Sequence, residues 1–202
     1  MKEFTALVLA GGMSERFGCF KALYELGGKP LIHHVIERIS SLTERIVIAA
    51  KECSLRSLDL PEVRVVPDKY CLHAAIVGLI SSLEHVETEY VAVIPCDSPF
   101  VSPSVIKLLL GEAEGRSGAV PVWPEGKPEP LHAVYRTREI EDRAWECWNK
   151  GDLRIRCIIE SMEDLVYVPI ELIREVDPDL LTFLNLNSME DLKIAKKVLE
   201  GS

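Results

Sequence analysis

The stretch Ala6-Leu7-Val8-Leu9-Ala10-Gly11-Gly12-Met13-Ser14-Glu15-Arg16-Phe17-Gly18, followed by Lys21, decides the reading of the fold. An apolar run ends at paired glycines, and a basic segment follows. Without a Cβ, glycine lets the backbone approach a ligand closely. Successive N–H groups in such a turn can converge on an anion. Arg16 and Lys21 bring positive charge to the same place. The residues read as a phosphate cradle. They also read as a plain strand-to-loop turn with two surface cations, since glycine pairs are common turn punctuation. The spacing is neither GxxxxGK[ST] nor GxGxxG, which excludes a P-loop and the dinucleotide fingerprint.

The rest of the chain alternates short apolar runs with helical patterns. Strands are expected at Phe4–Ala10, Arg45–Ala50, Val63–Val66 and Tyr90–Pro95. Between and after them, helical periodicity covers Pro30–Leu42, Ala74–Leu83 and Pro103–Glu114, the last with Ser102 as N-cap. The second half reads as strands at Gly118–Val122, Leu131–Tyr135, Leu165–Val168 and Thr182–Leu186. Helices are expected at Thr137–Lys150, around Ile155–Ile159 behind an Asp152 cap, and from Ser188 to about Leu199. This alternation predicts an α/β fold, a single domain over 1–202, with a mostly parallel sheet and helices on both faces. Such sheets bind ligands beyond the carboxyl ends of their strands. Gly11-Gly12, Asp68 and Asp97 each follow a predicted strand, so three loops are expected to face one crevice.

Composition bounds the function. The chain has 202 residues, 48% of them hydrophobic, a net charge of −9 and a pI near 5.1. That balance argues against non-specific nucleic-acid binding, which needs a basic face. No apolar stretch approaches the roughly 20 residues of a membrane span. The six cysteines at 19, 53, 71, 96, 147 and 157 include no CxxC pair. They read as reduced, partly buried thiols of a cytoplasmic protein.

Asp97, after Tyr90–Pro95 and Cys96, is placed to hold Mg²⁺ beside a triphosphate, or to open the Ser98-Pro99 turn. Asp68 would accept hydrogen bonds from a base edge or ribose hydroxyl, or serve as a turn residue. Asn185 and Asn187 flank Leu186, and strand alternation would place both on one face, as paired amides for a polar ligand or as the strand's end and the cap of the last helix. His33 and His34 have no ligand spacing and read as structural or surface residues, whereas His132 stays open. Trp145 and Trp148 share a helix face and read as core or as interface. Nothing in the sequence supports a covalent nucleophile.

Leu9-Ala10-Gly11-Gly12 with Arg16, Gly18 and Lys21 resembles the signature of nucleotidyltransferases that make sugar nucleotides and cofactor dinucleotides. Later segments narrow the likeness: Val66-Pro67-Asp68, Cys96-Asp97-Ser98-Pro99-Phe100-Val101, Glu129-Pro130-Leu131-His132-Ala133-Val134-Tyr135, and Phe183 through Leu192. Together, in order and over nearly the whole chain, they resemble the molybdenum cofactor guanylyltransferases. The resemblance implies a Rossmann-like nucleotidyltransferase fold that transfers GMP from GTP, with Mg²⁺, to molybdopterin and releases pyrophosphate. By motif position, Leu9, Ala10, Gly11 and Gly12 would contact the nucleotide. Lys21 and Arg16 would neutralise phosphate charge, Asp68 would sit at the guanosine, and Asp97 would ligate the metal. A molybdoenzyme or cofactor-biosynthesis protein is the partner such a role implies, in the cytoplasm, with neither nucleic acid nor membrane.

The chain departs from that pattern at three places. Phe20 precedes Lys21 where an acidic residue is usual. Cys71-Leu72-His73-Ala74-Ala75-Ile76-Val77-Gly78 lacks a glycine-proline pair, and Ala49-Ala50-Lys51 replaces a frequent asparagine. All three bear on base choice more than on fold or metal. A nucleotidyltransferase for another phosphorylated acceptor (a cobalamin precursor or a sugar phosphate), one using CTP, and a nucleotide- or partner-binding protein without catalysis are the competing readings.

Overall fold

The computed structural model describes residues 2–11, 13–14, 19–51, 60, 63–70, 72 and 74–201. In chain order, β1 (Phe4–Leu9) leads to two short antiparallel pairs, β2 (Met13–Ser14) with β3 (Cys19–Phe20) and β4 (Glu25–Leu26) with β5 (Lys29–Pro30). Helix α1 (Leu31–Ser40) returns the chain to β6 (Ile46–Ala50) and β7 (Arg64–Pro67). Then come α2 (Ala75–Leu83), β8 (Tyr90–Pro95), α3 (Pro103–Glu112) and β9 (Gly118–Val122). β10 (Ala133–Arg136) runs directly into α4 (Thr137–Asn149), followed by α5 (Ile155–Glu160) and β11 (Leu165–Pro169). The described chain closes with α6 (Ile170–Arg174) and α7 (Met189–Glu200).

Among the described residues the main sheet has seven strands in the order β11-β9-β10-β8-β1-β6-β7. All neighbours are parallel except β10, which runs antiparallel to both β8 and β9. β1 is central and apolar on both faces because both are covered, as parallel sheets require. Phe4, Ala6 and Val8 point to one side with Ile48, Tyr90 and Ile94, where α1 and α3 add Ile32, Val35, Val105 and Leu109. Leu7 points to the other with Val47, Val91 and Val93, where α2 and α4 add Ile76, Leu79, Ile140 and Ala144. Burying each such Leu or Ile contributes about 1.5–3 kcal/mol. The register matters for the site: Leu9 lies opposite Ala49 on β6 and Pro95 on β8, and Ala50 lies opposite Pro67 on β7. Four strands therefore release the chain at one edge.

Several expectations are corrected. Residues 182–186 form no strand: Leu181–Phe183 is a 3-10 turn. Buried Asp177 accepts the N–H groups of Leu181 and Thr182, and Leu180 takes a left-handed φ of 51°. Local capping by a carboxylate overrides the apolar pattern here. Cys147 and Cys157 are joined as a disulfide between α4 and α5, so these two are not reduced thiols. Ser102 occupies the N-cap of α3, but its side chain makes no cap bond, and its N–H donates to Thr182 Oγ1. The N-cap of α5 is Arg154 and not Asp152, whose carboxylate instead accepts the Arg154 N–H at 3.0 Å. The β4–β5 hairpin was not anticipated; Gly27 and Gly28 make its turn at φ values of 61° and 80°, which glycine adopts without strain. No helix among the described residues is long and apolar enough to cross a membrane.

Candidate functional site

The edge where β1, β6, β7 and β8 end holds a cleft of about 340 Å³. Its walls are Leu9, Gly11, Lys21, Ala49, Asp68, Ala74, Ala75, Gly78, Pro95, Cys96, Asp97 and Leu131. The structure thus brings together Leu9, Gly11, Lys21, Asp68 and Asp97 from four segments of the sequence. The Ala10 side chain is fully buried in the core, so any ligand contact there falls to its backbone. Gly12, Arg16 and Gly18 lie outside the described residues. Asn185 and Asn187 stand beside the cleft, bonded to Ser98 and Lys21 respectively.

Asp68 forms one end. Its N–H donates to Ala50 O at 2.9 Å, continuing the β6–β7 ladder past Pro67. The next N–H, of Lys69, donates to buried Ser81 Oγ on α2 at 2.8 Å. Tyr70 stacks on Trp148 of α4 with centroids 4.5 Å apart, so that tryptophan packs internally. The carboxylate itself is poorly served. Oδ1 is buried with no hydrogen-bond partner among the described residues, and burial raises the pKa against the pull of Lys51. Gly11 closes against it: a Cβ on Gly11 would lie 2.8 Å from Asp68 Oδ2. Gly78 does the same beneath, where a Cβ would meet Leu9 Cδ2 at 3.1 Å and Ala49 Cβ at 3.2 Å.

Lys21 and Asp97 form the other end. Lys21 Nζ donates to Asp97 Oδ2 at 2.8 Å and also to Asn187 Oδ1. The two charged side chains are 19% and 13% exposed, enough for a ligand to reach. The Leu186 N–H donates to Asp97 O at 2.9 Å, which ties the segment before α7 to the end of β8. Leu186 is fully buried with Leu26, Phe100 and Leu192. Asn185 and Asn187 consequently face the site from an irregular segment and not from a strand. Among the described residues no group of three or more His, Cys, Asp or Glu side chains could cage a metal.

A second polar group lies behind Asp97. Ser98 Oγ is 2.8 Å from His132 Nε2 and donates to Asn185 Oδ1 at 2.5 Å. Ser98 and His132 have the separation of a nucleophile and its base, but Ser98 is fully buried and its proton is committed to Asn185. Burial pushes the His132 pKa down to about 3, so the ring is neutral. Cys96 is no nucleophile either, since burial and Asp97 raise its thiol pKa. Ser98 and His132 were missed as a pair because they are far apart in sequence. The only sequence signal was their presence in the Asp97 and Pro130 segments. Of the three departures, Ala49 and Ala74-Ala75 line the cleft and Lys51 acts on Asp68, whereas Phe20 is not part of the lining.

Comparison with known proteins agrees with this geometry. Residues 6–165 match the MobA-like NTP transferase domain. A protein of Methanosarcina mazei named probable molybdenum cofactor guanylyltransferase is 31% identical over 198 residues, covering 94% of this chain and 88% of its own. One of the same name from Bacillus cereus is 31% identical with full coverage of both chains. The crystal structure of molybdopterin-guanine dinucleotide biosynthesis protein A from Archaeoglobus fulgidus superposes with a TM-score of 0.84 at 30% identity, covering 98% and 100% of the two chains. The 2-C-methyl-D-erythritol 4-phosphate cytidylyltransferase of Thermus thermophilus shares the fold, with a TM-score of 0.69 at 17% identity over 97% and 98%. The strand-end cleft, its glycine approach and its lysine–aspartate pair therefore sit on a nucleotidyltransferase framework, and the chain belongs to the MobA-like NTP transferase family.

Proposed function

We propose that this nucleotidyltransferase transfers GMP from GTP to the terminal phosphate of molybdopterin. An oxygen of that phosphate bonds to the α-phosphorus of GTP, the bond from the α-phosphorus to the bridging oxygen breaks, and pyrophosphate leaves. The observation that carries the reading is the pairing of two ends in one cleft: a buried carboxylate seeking donors at Asp68, and a lysine–aspartate pair at Lys21 and Asp97. A guanine edge presents adjacent N–H donors that suit a carboxylate, and a triphosphate needs the cation. The names of the relatives support guanine and molybdopterin as substrates.

The acceptor phosphate is already anionic, so no general base is needed. Positioning and charge stabilisation carry the reaction. Gly11 lets the nucleotide approach β1 closely, and Asp68 fixes its base end. Lys21 neutralises phosphate oxygens once a ligand competes for it with Asp97 and Asn187. A lone carboxylate fits Mg²⁺, which takes one or two carboxylates plus phosphate oxygens and water. Asp97 would hold it, and the ion would supply positive charge to the triphosphate. The relatives' full-length coverage supports the whole chain acting as one catalytic domain.

The test is calorimetric titration of the full chain with GTP, CTP, ATP and UTP, with and without Mg²⁺, followed by turnover with molybdopterin. Mg²⁺-dependent GTP binding and release of pyrophosphate are expected. Preferential CTP binding defeats the base assignment, and GTP binding without transfer to molybdopterin defeats the acceptor.

A further inference from the structure

We propose that His132 and Ser98 are positioning residues for the phosphorylated acceptor: a buried chain from His132 through Ser98 to Asn185 turns the Asn185 amide so that its N–H₂ group is presented to the acceptor's phosphate. This rests on the nucleotidyl-transfer reading but not on the identity of the base.

The hydrogen bonds set the direction. The Ser98 hydroxyl proton goes to Asn185 Oδ1, so Ser98 Oγ is left to accept, and His132 Nε2–H is its donor. The neutral ring then carries its proton on Nε2. That leaves Nδ1 as a bare lone pair, and it is indeed buried without a partner among the described residues. Such an orphan is destabilising, and a phenyl ring would avoid it while still packing edge-on against Phe183, whose centroid is 5.3 Å away. A histidine kept there despite that cost has a task that its Nε2–H performs.

The task follows from what holds Asn185. It lies on no strand, and its segment is fixed by buried Leu186 and by the Leu186 N–H on Asp97 O. Neither bond orients the Asn185 amide. Ser98 does, by claiming Oδ1. The neighbouring Asn187 accepts from Lys21 at its Oδ1 and gives one N–H of its Nδ2 to Asn185 O at 3.5 Å. The Asn185 Nδ2 makes no hydrogen bond among the described residues, and a phosphate oxygen is an acceptor without a proton. Amide rotation would offer an oxygen to that anion instead.

The experiment has two arms on the full chain. In the first, ¹⁵N NMR of the histidine rings, with His132 assigned by its loss in His132→Gln, reads the tautomer without substrate. Protonation on Nε2 is expected; protonation on Nδ1 overturns the proposal, because Ser98 would then donate to the ring and release Asn185. In the second, Ser98→Ala and His132→Phe are expected to raise the KM for molybdopterin about 10-fold, the loss of one oriented hydrogen bond to an anion. The Kd for GTP with Mg²⁺, read by calorimetry, stays within about 2-fold. His132→Gln, which keeps an N–H near the Nε2 position, recovers most of the KM. An unchanged KM in Ser98→Ala, an equal loss of GTP binding, or no recovery in His132→Gln overturns the positioning role. Absence of transfer by the wild-type chain defeats the substrate assignment alone, and the tautomer still decides this proposal.

Discussion

Gly11 stands so close to Asp68 that a methyl group on it would lie 2.8 Å from the carboxylate Oδ2. No unbonded carbon tolerates that distance, so Gly11→Ala must push Asp68 out of place. Gly11 has no left-handed φ, so the backbone accepts alanine without strain. The expected result is about a 10-fold or greater loss of GTP affinity in calorimetry, from one displaced charged hydrogen-bonding group. Melting should move by no more than about 2 °C. Full GTP affinity in this variant would separate Asp68 from the nucleotide.

Asp68 should trade stability for binding. Its Oδ1 is buried and unpartnered among the described residues, and burial raises its pKa. A folded-state pKa above the unfolded value means that the protonated form favours folding, and that this advantage is lost as pH rises through the raised pKa. Above that raised pKa the nucleotide-free protein carries the charged, costly form. Asp68→Asn is expected to raise Tm by about 2–4 °C above the Asp68 pKa, the effect of relieving ~1 kcal/mol in a chain of this size. The gain should shrink as pH falls through the Asp68 pKa, while GTP affinity drops at every pH where wild type binds. Thermal scans across pH, with parallel GTP titrations, check both halves.

Lys21 and Asp97, at the proposed reacting end, pair at 2.8 Å. Lys21→Ala and Asp97→Ala are each expected to slow guanylyl transfer at least about 10²-fold, as for loss of one preorganised electrostatic element. In Asp97→Ala the Mg²⁺ dependence of GTP binding should also weaken. Initial rates of pyrophosphate release measure this, and near-normal turnover in either variant would remove that residue from the chemistry.

The Cys147–Cys157 disulfide closes a short loop between α4 and α5, with a sequence separation of 10. A bridge of that span is expected to stabilise by roughly 2–3 kcal/mol. Cys147→Ser, or a reductant on the wild type, should therefore lower Tm by about 5–10 °C. Cys147 is buried against α2 and Trp148 next to it stacks on Tyr70, so the softened region adjoins the Asp68 loop. Identical melting with and without reductant would show that the two thiols are not bonded in solution.

Much of the framework was legible in the sequence because its signals are local. β1 is apolar on both faces, helices alternate with strands, and Pro67-Asp68 and Cys96-Asp97 mark where strands stop. Those features by themselves put Gly11, Asp68 and Asp97 at one edge, since parallel strands in register must release their chains together. The failures are equally physical. The run 182–186 looks like a strand, but the buried Asp177 carboxylate caps its backbone into a turn. The spacing of Cys147 and Cys157 matches no motif, and the bridge exists because α4 and α5 fold against each other on one face of the sheet.

The sequence by itself determined the α/β framework, the glycine approach at the end of β1 and the acidic residues at the strand ends. These depend on periodicity and on neighbours within a few positions. Only the tertiary structure decided that Lys21 bridges Asp97 and Asn187, that Asp68 Oδ1 is buried without a partner among the described residues, and that His132 reaches Asn185 through Ser98. Those relations join segments up to 166 residues apart. Their strength comes from burial and from which groups remain unpaired, and both are properties of the folded surroundings.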